Sequence, residues 1–493
     1  MKKRVRLTPQ SVVDKGHNYN LRSTKENKFV DRISQLEDEL LVSILSLLPL
    51  KKAAATSILS RRWRYAWAST LNLNFDPDEE MLGSLSYQSN PKIQEVERRK
   101  YVNWVNDVVE RHRGSNVQHV RFSFDLDYKF SSHIDKWIQF AMKKGVQVLE
   151  LDFLYNGVLF RGSGNCYAFP HEVLGVKTGS ASRPVCCDVP TLHPNMYSSF
   201  KTLRVLHFKA VAVDGGVLEC ILSNCPLLEQ LSVFNSPNLA KLRVCGPSIA
   251  LKYLVIEACD AIKHIEICDA SLVSFIYSGH KPTLLLLNVP FLVEVSVFQH
   301  ASSCYFNEIL SDVFTQLPCC LSQLEIIKAI PSRVYRKNRV LPMLANVKHL
   351  ELAFAADSDD SLLHLNSFIK ASPHLHKLIL HVHGFGNRGP VTYKKAAKFS
   401  HHYLNEVEIA GLAGFFPWHS FRPCHIQLVQ YFTEIAVRLE KIIITRTWNN
   451  SKYLYWCFPR QRLRGEREER YERIRSWEQL NECAPSIIEL AGQ

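Results

Sequence analysis

The sequence predicts an α/β chain. A small helical segment near the N-terminus leads into a long repeat solenoid of the right-handed horseshoe type, with irregular repeats. Two observations carry this. Residues 33–69 hold three short helical patterns crowded with leucine. From Phe200 onward the pattern L-x-x-L-x-Φ, where Φ is apolar, recurs thirteen times. Units of that kind cannot close a core alone and must stack. The chain has 493 residues, 46% hydrophobic and 22% charged, which is enough apolar material for a sizeable core.

In the helical segment, Glu37, Asp38 and Glu39 crowd a helix start, where the dipole favours negative charge. Leu36, Leu40, Ile44 and Leu48 recur every four residues, and Leu41 and Leu45 widen that stripe. Pro49 is expected to end the helix. Ala53, Ala54, Ala55 and Ile58 suit a short second helix. Ser60 is a good N-cap for a third, whose Trp63 and Trp67 share one face. Three such helices cannot bury this much apolar surface among themselves. The surplus needs the rest of the chain or another protein.

The stretches "DRIS.L", "DELL..ILSLLP.K.A..TS.LSRRWR..W" and "L.L.FD" together resemble the F-box of plant F-box proteins. Glu37 stands where that family most often has proline, and an acid suits a first turn as well. The resemblance implies docking on a Skp-type adaptor protein and, through it, a cullin ubiquitin ligase. It also implies that Leu36, Leu40, Leu41, Ile44, Leu45, Leu48, Pro49 and Trp63 form the adaptor-binding site.

Residues 98–153 then read as helix, strand, helix, strand, from Val102, Val105 and Val109, "VQHVRFSFDLD", Ile134, Trp137, Ile138 and Ala141, and "VQVLELDF". Residues 154–199 have no period and read as a long surface loop. The thirteen repeat units begin at Leu203, Leu228, Leu239, Leu251, Ile262, Leu272, Leu284, Leu292, Leu321, Val347, Leu375, Leu404 and Leu439, each taken with the residues three and five further on. This is the core of a leucine-rich repeat. Middle residues from Leu231 to Leu287 come only 10 to 12 apart, too close for a full repeat each. Every second one, Leu231, Leu254, Phe275 and Val295, steps by 20 to 23. One strand is therefore expected on the concave side and the next on the convex side. Steps of 26 to 35 from 324 to 442 leave room for helices on the back.

"YLNEVEIAGLAG" and "QLVQYFTEIAVRLEKIIIT" resemble the FBD region that often ends plant F-box/leucine-rich-repeat proteins. The expected boundaries are a disordered basic tail over 1–28, the F-box over 29–76 and a helical connector over 77–115. The solenoid follows over 116–400, FBD-like last repeats over 401–446 and a charged C-terminal tail over 447–493, with Arg460–Trp477 helical by composition.

Net charge is +13, concentrated at the ends: residues 1–30 hold eight Lys/Arg against two acids. The middle lacks the recurring basic and aromatic stripe of a single-strand binder, which argues against nucleic acid. "KKRVR" matches a weak nuclear import signal. No stretch is apolar long enough to span a bilayer, so a nuclear or cytoplasmic protein is expected. The 14 cysteines form no CxxC and no zinc spacing; most read as reduced core residues. His374, His376, His381 and His383 sit in "HLHKLILHVH", where His381 and His383 share a strand face. Without a nearby acid or cysteine in sequence they read as exposed strand histidines. No phosphate loop, HExxH or nucleophile–base pair occurs, so no catalytic residue, metal or cofactor is expected. The reading is a non-catalytic receptor subunit that holds an unidentified target protein on its repeats. A scaffold bound to the adaptor, or a small-molecule sensor with a pocket in the solenoid, is the alternative.

Overall fold

The computed structural model describes residues 33–78, 81, 90–154, 165–170, 200–247, 249–280, 282–299, 320–329, 341–355, 360–383, 399–410, 423–445 and 488–491. Helices α1 (Asp38–Leu45), α2 (Leu50–Ala55) and α3 (Arg61–Ala66) come first. Strand β1 (Asn72–Phe75) and helix α4 (Pro91–Arg111) follow, then β2 (His119–Ser123), α5 (Ser131–Lys143) and β3 (Val148–Asp152). Next come β4 (Tyr167–Ala168), β5 (Val205–Lys209), β6 (Val211–Ala212), α6 (Gly215–Asn224), β7 (Gln230–Phe234), β8 (Lys241–Cys245), β9 (Tyr253–Glu257) and β10 (His264–Cys268). The chain continues through β11 (Ser274–Gly279), β12 (Thr283–Leu287), β13 (Glu294–Gln299), β14 (Ile326–Ala329), β15 (His349–Ala355) and α7 (Asp360–Ala371). It ends with β16 (Lys377–His383), β17 (Glu406–Ala410), α8 (Pro423–Ile435), β18 (Lys441–Thr445) and β19 (Ile488–Ala491).

Among the described residues, fourteen strands form one sheet in the order β1-β2-β3-β5-β7-β9-β11-β13-β14-β15-β16-β17-β18-β19. Each pairs in parallel with the next. The omitted strands β8, β10 and β12 form a second parallel sheet of three. That is the alternation the short spacing predicts: one strand of each pair joins the main sheet and its successor the back sheet. Where the step is longer, a helix replaces the back strand, as α7 does between β15 and β16 and α8 between β17 and β18.

Side chains alternate across each strand, so the two spaced apolar residues point into one core. Leu206 and Phe208, Leu231 and Val233, Leu254 and Ile256, and Leu378 and Leu380 are all buried. Burying a leucine is worth about 1.5–3 kcal/mol, and one continuous cluster runs from Leu50 to Ile444. The wide first steps are filled by rings: Phe75 stacks on Phe122 at 5.2 Å, and Phe122 on Trp137 at 5.1 Å.

The repeat frame differs from the expectation at two places. On β12, Leu284 and Leu286 point inward, while Leu285 and Leu287 are exposed, so Leu284/Leu287/Val289 is out of frame. On β14, Ile327 and Ala329 are buried, whereas Ile326 is half-buried; the pattern there is Leu324/Ile327/Ala329. A run such as "TLLLL" carries no phase of its own, and the pairing of Ile265 with Leu284 sets it.

Asn72–Phe75, expected inside the F-box, is the first strand of the sheet, and Ile488–Ala491, expected in the charged tail, is the last. The expected loop near 154–199 contributes β4, which pairs with β6. The expected tail over 1–28 and the helix expected over Arg460–Trp477 lie outside the described residues. No helix among the described residues is long and apolar enough to cross a membrane.

Two buried histidines act as joints. His401 accepts from the Leu404 N–H at Nδ1 (3.1 Å), and its Nε2 meets the Ser372 carbonyl at 3.0 Å. His112 Nε2 meets the Thr70 carbonyl at 3.1 Å. Burial lowers the pKa of both. Unfolded, they take up a proton near pH 6.5; folded, they resist it. Their contribution is complete above about pH 6.5 and is lost as pH falls toward the lower folded values. The melting temperature should therefore drop between pH 7 and 5, and His401→Gln should flatten that slope, as read by circular dichroism melts across the range.

Candidate interaction faces

Helix α1 starts at Asp38 after Glu37, with Asp38 and Glu39 in its first turn. It ends at Leu45 with Ser46 as C-cap, four residues earlier than Pro49 implied. Pro49 is instead the N-cap of α2, where its fixed φ leads into the first turn. Ser60 caps α3 as expected, its Oγ accepting from the Trp63 N–H at 3.3 Å. Arg62 reaches back to Asp38 at 2.6 Å and also donates to the Leu36 carbonyl, which ties α3 to the start of α1.

This packing divides the expected site residues. Leu41, Leu45 and Trp63 are buried and form a small separate core with Ala53 and Ala66. They hold the three helices together and do not line a surface, because residues one apart on a helix face different ways. Leu36 is half-buried and Pro49 exposed. Leu40 is 53% exposed, Ile44 43% and Leu48 41%, and these remain facing outward on α1 and the turn after it. Three more apolar residues are even more exposed: Leu47 at 82%, Ile58 at 87% and Leu59 at 64%. The four-residue recurrence passed over Leu47; the surplus of leucines in "LSLLPL" was its signal. Ile58 and Leu59 lie at the 3-10 turn after α2, where no helical period marks a face.

The segment is anchored to the sheet. Leu50 belongs to the main core. Ser46 Oγ accepts from the Leu71 N–H at 2.9 Å, and the Arg113 N–H donates to the Ala68 carbonyl at 2.7 Å.

The outer face of the main sheet carries charge at both ends. At β1–β5, Arg121 bonds Asp76 (2.9 Å), Asp152 (3.3 Å) and Glu150, while Lys209 bonds Asp152 at 2.9 Å. The His119 hydrogen bond and the Arg121 charge hold Glu150 at about 2 against its burial. At β13–β17, Glu294 pairs with Lys328 (2.8 Å) and Lys377 with Glu406 (2.6 Å). His381, expected on an exposed strand face, is buried there with Nε2 2.7 Å from Glu351. Burial opposes the charge on Glu351, but the His381 hydrogen bond together with the His381, Lys328 and His349 charges outweighs it and the pKa falls. Between these ends Ser232, Val255 and Ile276 face outward, and Glu257 of β9 adds one carboxylate to the same face.

A leucine-faced helical module seated on the first strand of a parallel leucine-repeat ladder defines a repeat protein with an N-terminal helical module. The comparisons specify it further. Residues 33–74 match the F-box domain model, and residues 108–472 match the model of the At1g61320/AtMIF1 LRR domain. The chain belongs to the F-box/leucine-rich-repeat proteins with repeats of that type. It is 29% identical over 297 residues to a putative F-box/FBD/LRR-repeat protein of Arabidopsis thaliana, At5g62970, covering 54% of this chain and 62% of the relative. It is 22% identical over 450 residues to the putative FBD-associated F-box protein At1g61330 of the same plant, covering 85% of this chain and 92% of the relative. The chain thus spans under two thirds of the first relative and nearly all of the second. The resemblance of its last repeats to FBD agrees with these relatives.

Leu41→Ala should cost about 2–5 kcal/mol, the range for a truncated core leucine, and should speed hydrogen exchange across residues 38–66. Leu47→Ser on the exposed side should shift stability by no more than about 0.5 kcal/mol.

Proposed function

We propose that the chain is the substrate-recognition subunit of a Skp-cullin-F-box ubiquitin ligase. The outward face of Leu40, Ile44, Leu47 and Leu48, with Ile58 and Leu59, docks the Skp-type adaptor. The repeats form a solenoid of the horseshoe type, and its outer sheet face holds a target protein. The partner enzymes supply the chemistry, and this chain contributes proximity. It works in the nucleus or cytoplasm.

The observation that carries the reading is the exposure of Leu40 and Ile44 beside the full burial of Leu41 and Leu45. One short helix has its own core and still presents leucine to water, which soluble surfaces seldom leave uncovered. The charged ends of the sheet face and the mostly uncharged strands between them offer a target both steering and apolar contact.

Leu40→Asp with Ile44→Asp should abolish co-purification with a Skp-type adaptor, since each buried interface anchor is worth about 2 kcal/mol or more. The melting temperature should stay within a few degrees of the parent, because neither side chain is in the core. Undiminished adaptor binding by the folded double variant would overturn the reading.

A further inference from the structure

Cys245 is the last residue of β8 and Cys268 the last of β10, and the parallel register sets them side by side. Glu266 lies two residues before Cys268, on the same face of its strand. Arg243 holds the matching place on β8. The two sulfurs and a Glu266 carboxylate oxygen all lie within 4.8 Å of one another, and all three residues are half-buried. The carboxylate is divided: Oε1 is 3.8 Å from Cys268 Sγ, while Oε2 faces Arg243 Nε at 3.5 Å.

We propose that Cys245, Cys268 and Glu266 form a three-ligand site for a soft divalent cation, zinc being the type. Zinc takes sulfur at about 2.3 Å and carboxylate oxygen at about 2.0–2.2 Å in a tetrahedron. Its ligand atoms then stand roughly 3.5–3.8 Å apart, the separation already present between Cys268 and Glu266. Two thiolates and a carboxylate carry three negative charges; the cation and Arg243 together carry three positive ones. Glu219 of α6 lies in the electrostatic reach of Arg243, Lys241 and Glu266. Arg243 also fixes the carboxylate from behind, as outer-shell partners of metal ligands do. A water completes the fourth position. Binding displaces the thiol protons, so affinity rises with pH. The cysteines stand 23 residues apart in sequence, one back-sheet step, so no local spacing motif marks them.

The test uses the full chain, purified reduced and stripped of metal with chelator. Titration with Co²⁺ should give near-ultraviolet thiolate charge-transfer absorption that saturates at one equivalent and is displaced by Zn²⁺. Cys245→Ser and Cys268→Ser should each remove that band. Glu266→Gln should weaken binding by at least the roughly 10-fold that even outer-shell changes cost. Cys220→Ser, on α6, should leave the band unchanged. Independently of any variant, Zn²⁺ should protect Cys245 and Cys268 of the parent chain, but not Cys220, from iodoacetamide, as read by peptide mass spectrometry. No thiolate band, a band that survives both serine variants, or equal alkylation with and without zinc would overturn the proposal.

Discussion

The structure depends on one backbone device repeated at every junction of the main sheet up to β18. The carbonyl just before each strand accepts two consecutive N–H groups from the next repeat. Leu71 takes Gln118 and His119, Gln118 takes Gln147 and Val148, and Gln147 takes Arg204 and Val205. The same step passes through Arg204, Glu229, Lys252, Val273, Val293, Glu325, Lys348 and His376 to Asn405, which takes Glu440 and Lys441. Each bond is modest alone, and a buried amide left without one costs about 1–3 kcal/mol. Because the acceptor is the same backbone position in every turn, the register cannot slip by one residue without exposing the whole apolar set.

This fixed register leaves the rest of each repeat free to vary. The strand and its two inward residues are constant, while the return path can be a strand, a helix or a long excursion. After several strands the chain turns through a left-handed residue, at Ala210, Asn235, Ala258, Asp269 and Asn288. Asn and Asp tolerate that conformation, and alanine pays about 1–2 kcal/mol for it. Ala210 and Ala258 are nearly fully buried there. Uniform turns carry the second register, that of the back sheet, and so bring Cys245 beside Cys268.

The repeat was legible because L-x-x-L-x-Φ states strand, face and spacing at once. Legibility failed where sequence lost phase. "TLLLL" permits either frame, and only the neighbouring strand chooses. It failed again where an element was short: Asn72–Phe75 reads as the trailing edge of a helical module but is the first rung of the ladder. Ile488–Ala491 lies so far beyond its partner Ile442–Thr445 that no period connects the two. For the docking module, the family pattern located the segment, yet the division into inward Leu41 and Leu45 and outward Leu40 and Ile44 needed the crossing of α1 by α3. Adjacent leucines on an eight-residue helix look alike until one knows which side Trp63 occupies.

The same division explains how a leucine-rich module remains folded while part of its apolar surface meets water. Its inner residues form a core independent of the outer ones, so the outward face costs solubility and not stability. Leu50 and the Ser46–Leu71 hydrogen bond then join the module to the start of β1, and the Arg113–Ala68 and His112–Thr70 bonds join it to the end of α4. Tyr101 of α4 donates to the Phe75 carbonyl at 2.8 Å and accepts from the Ser123 N–H at 3.1 Å, which carries the connection on to β2. Such a joint has no free linker to average over orientations. A partner held on the leucine face and another held on the outer sheet would thus keep a set distance and angle, the condition under which proximity accelerates a transfer between them.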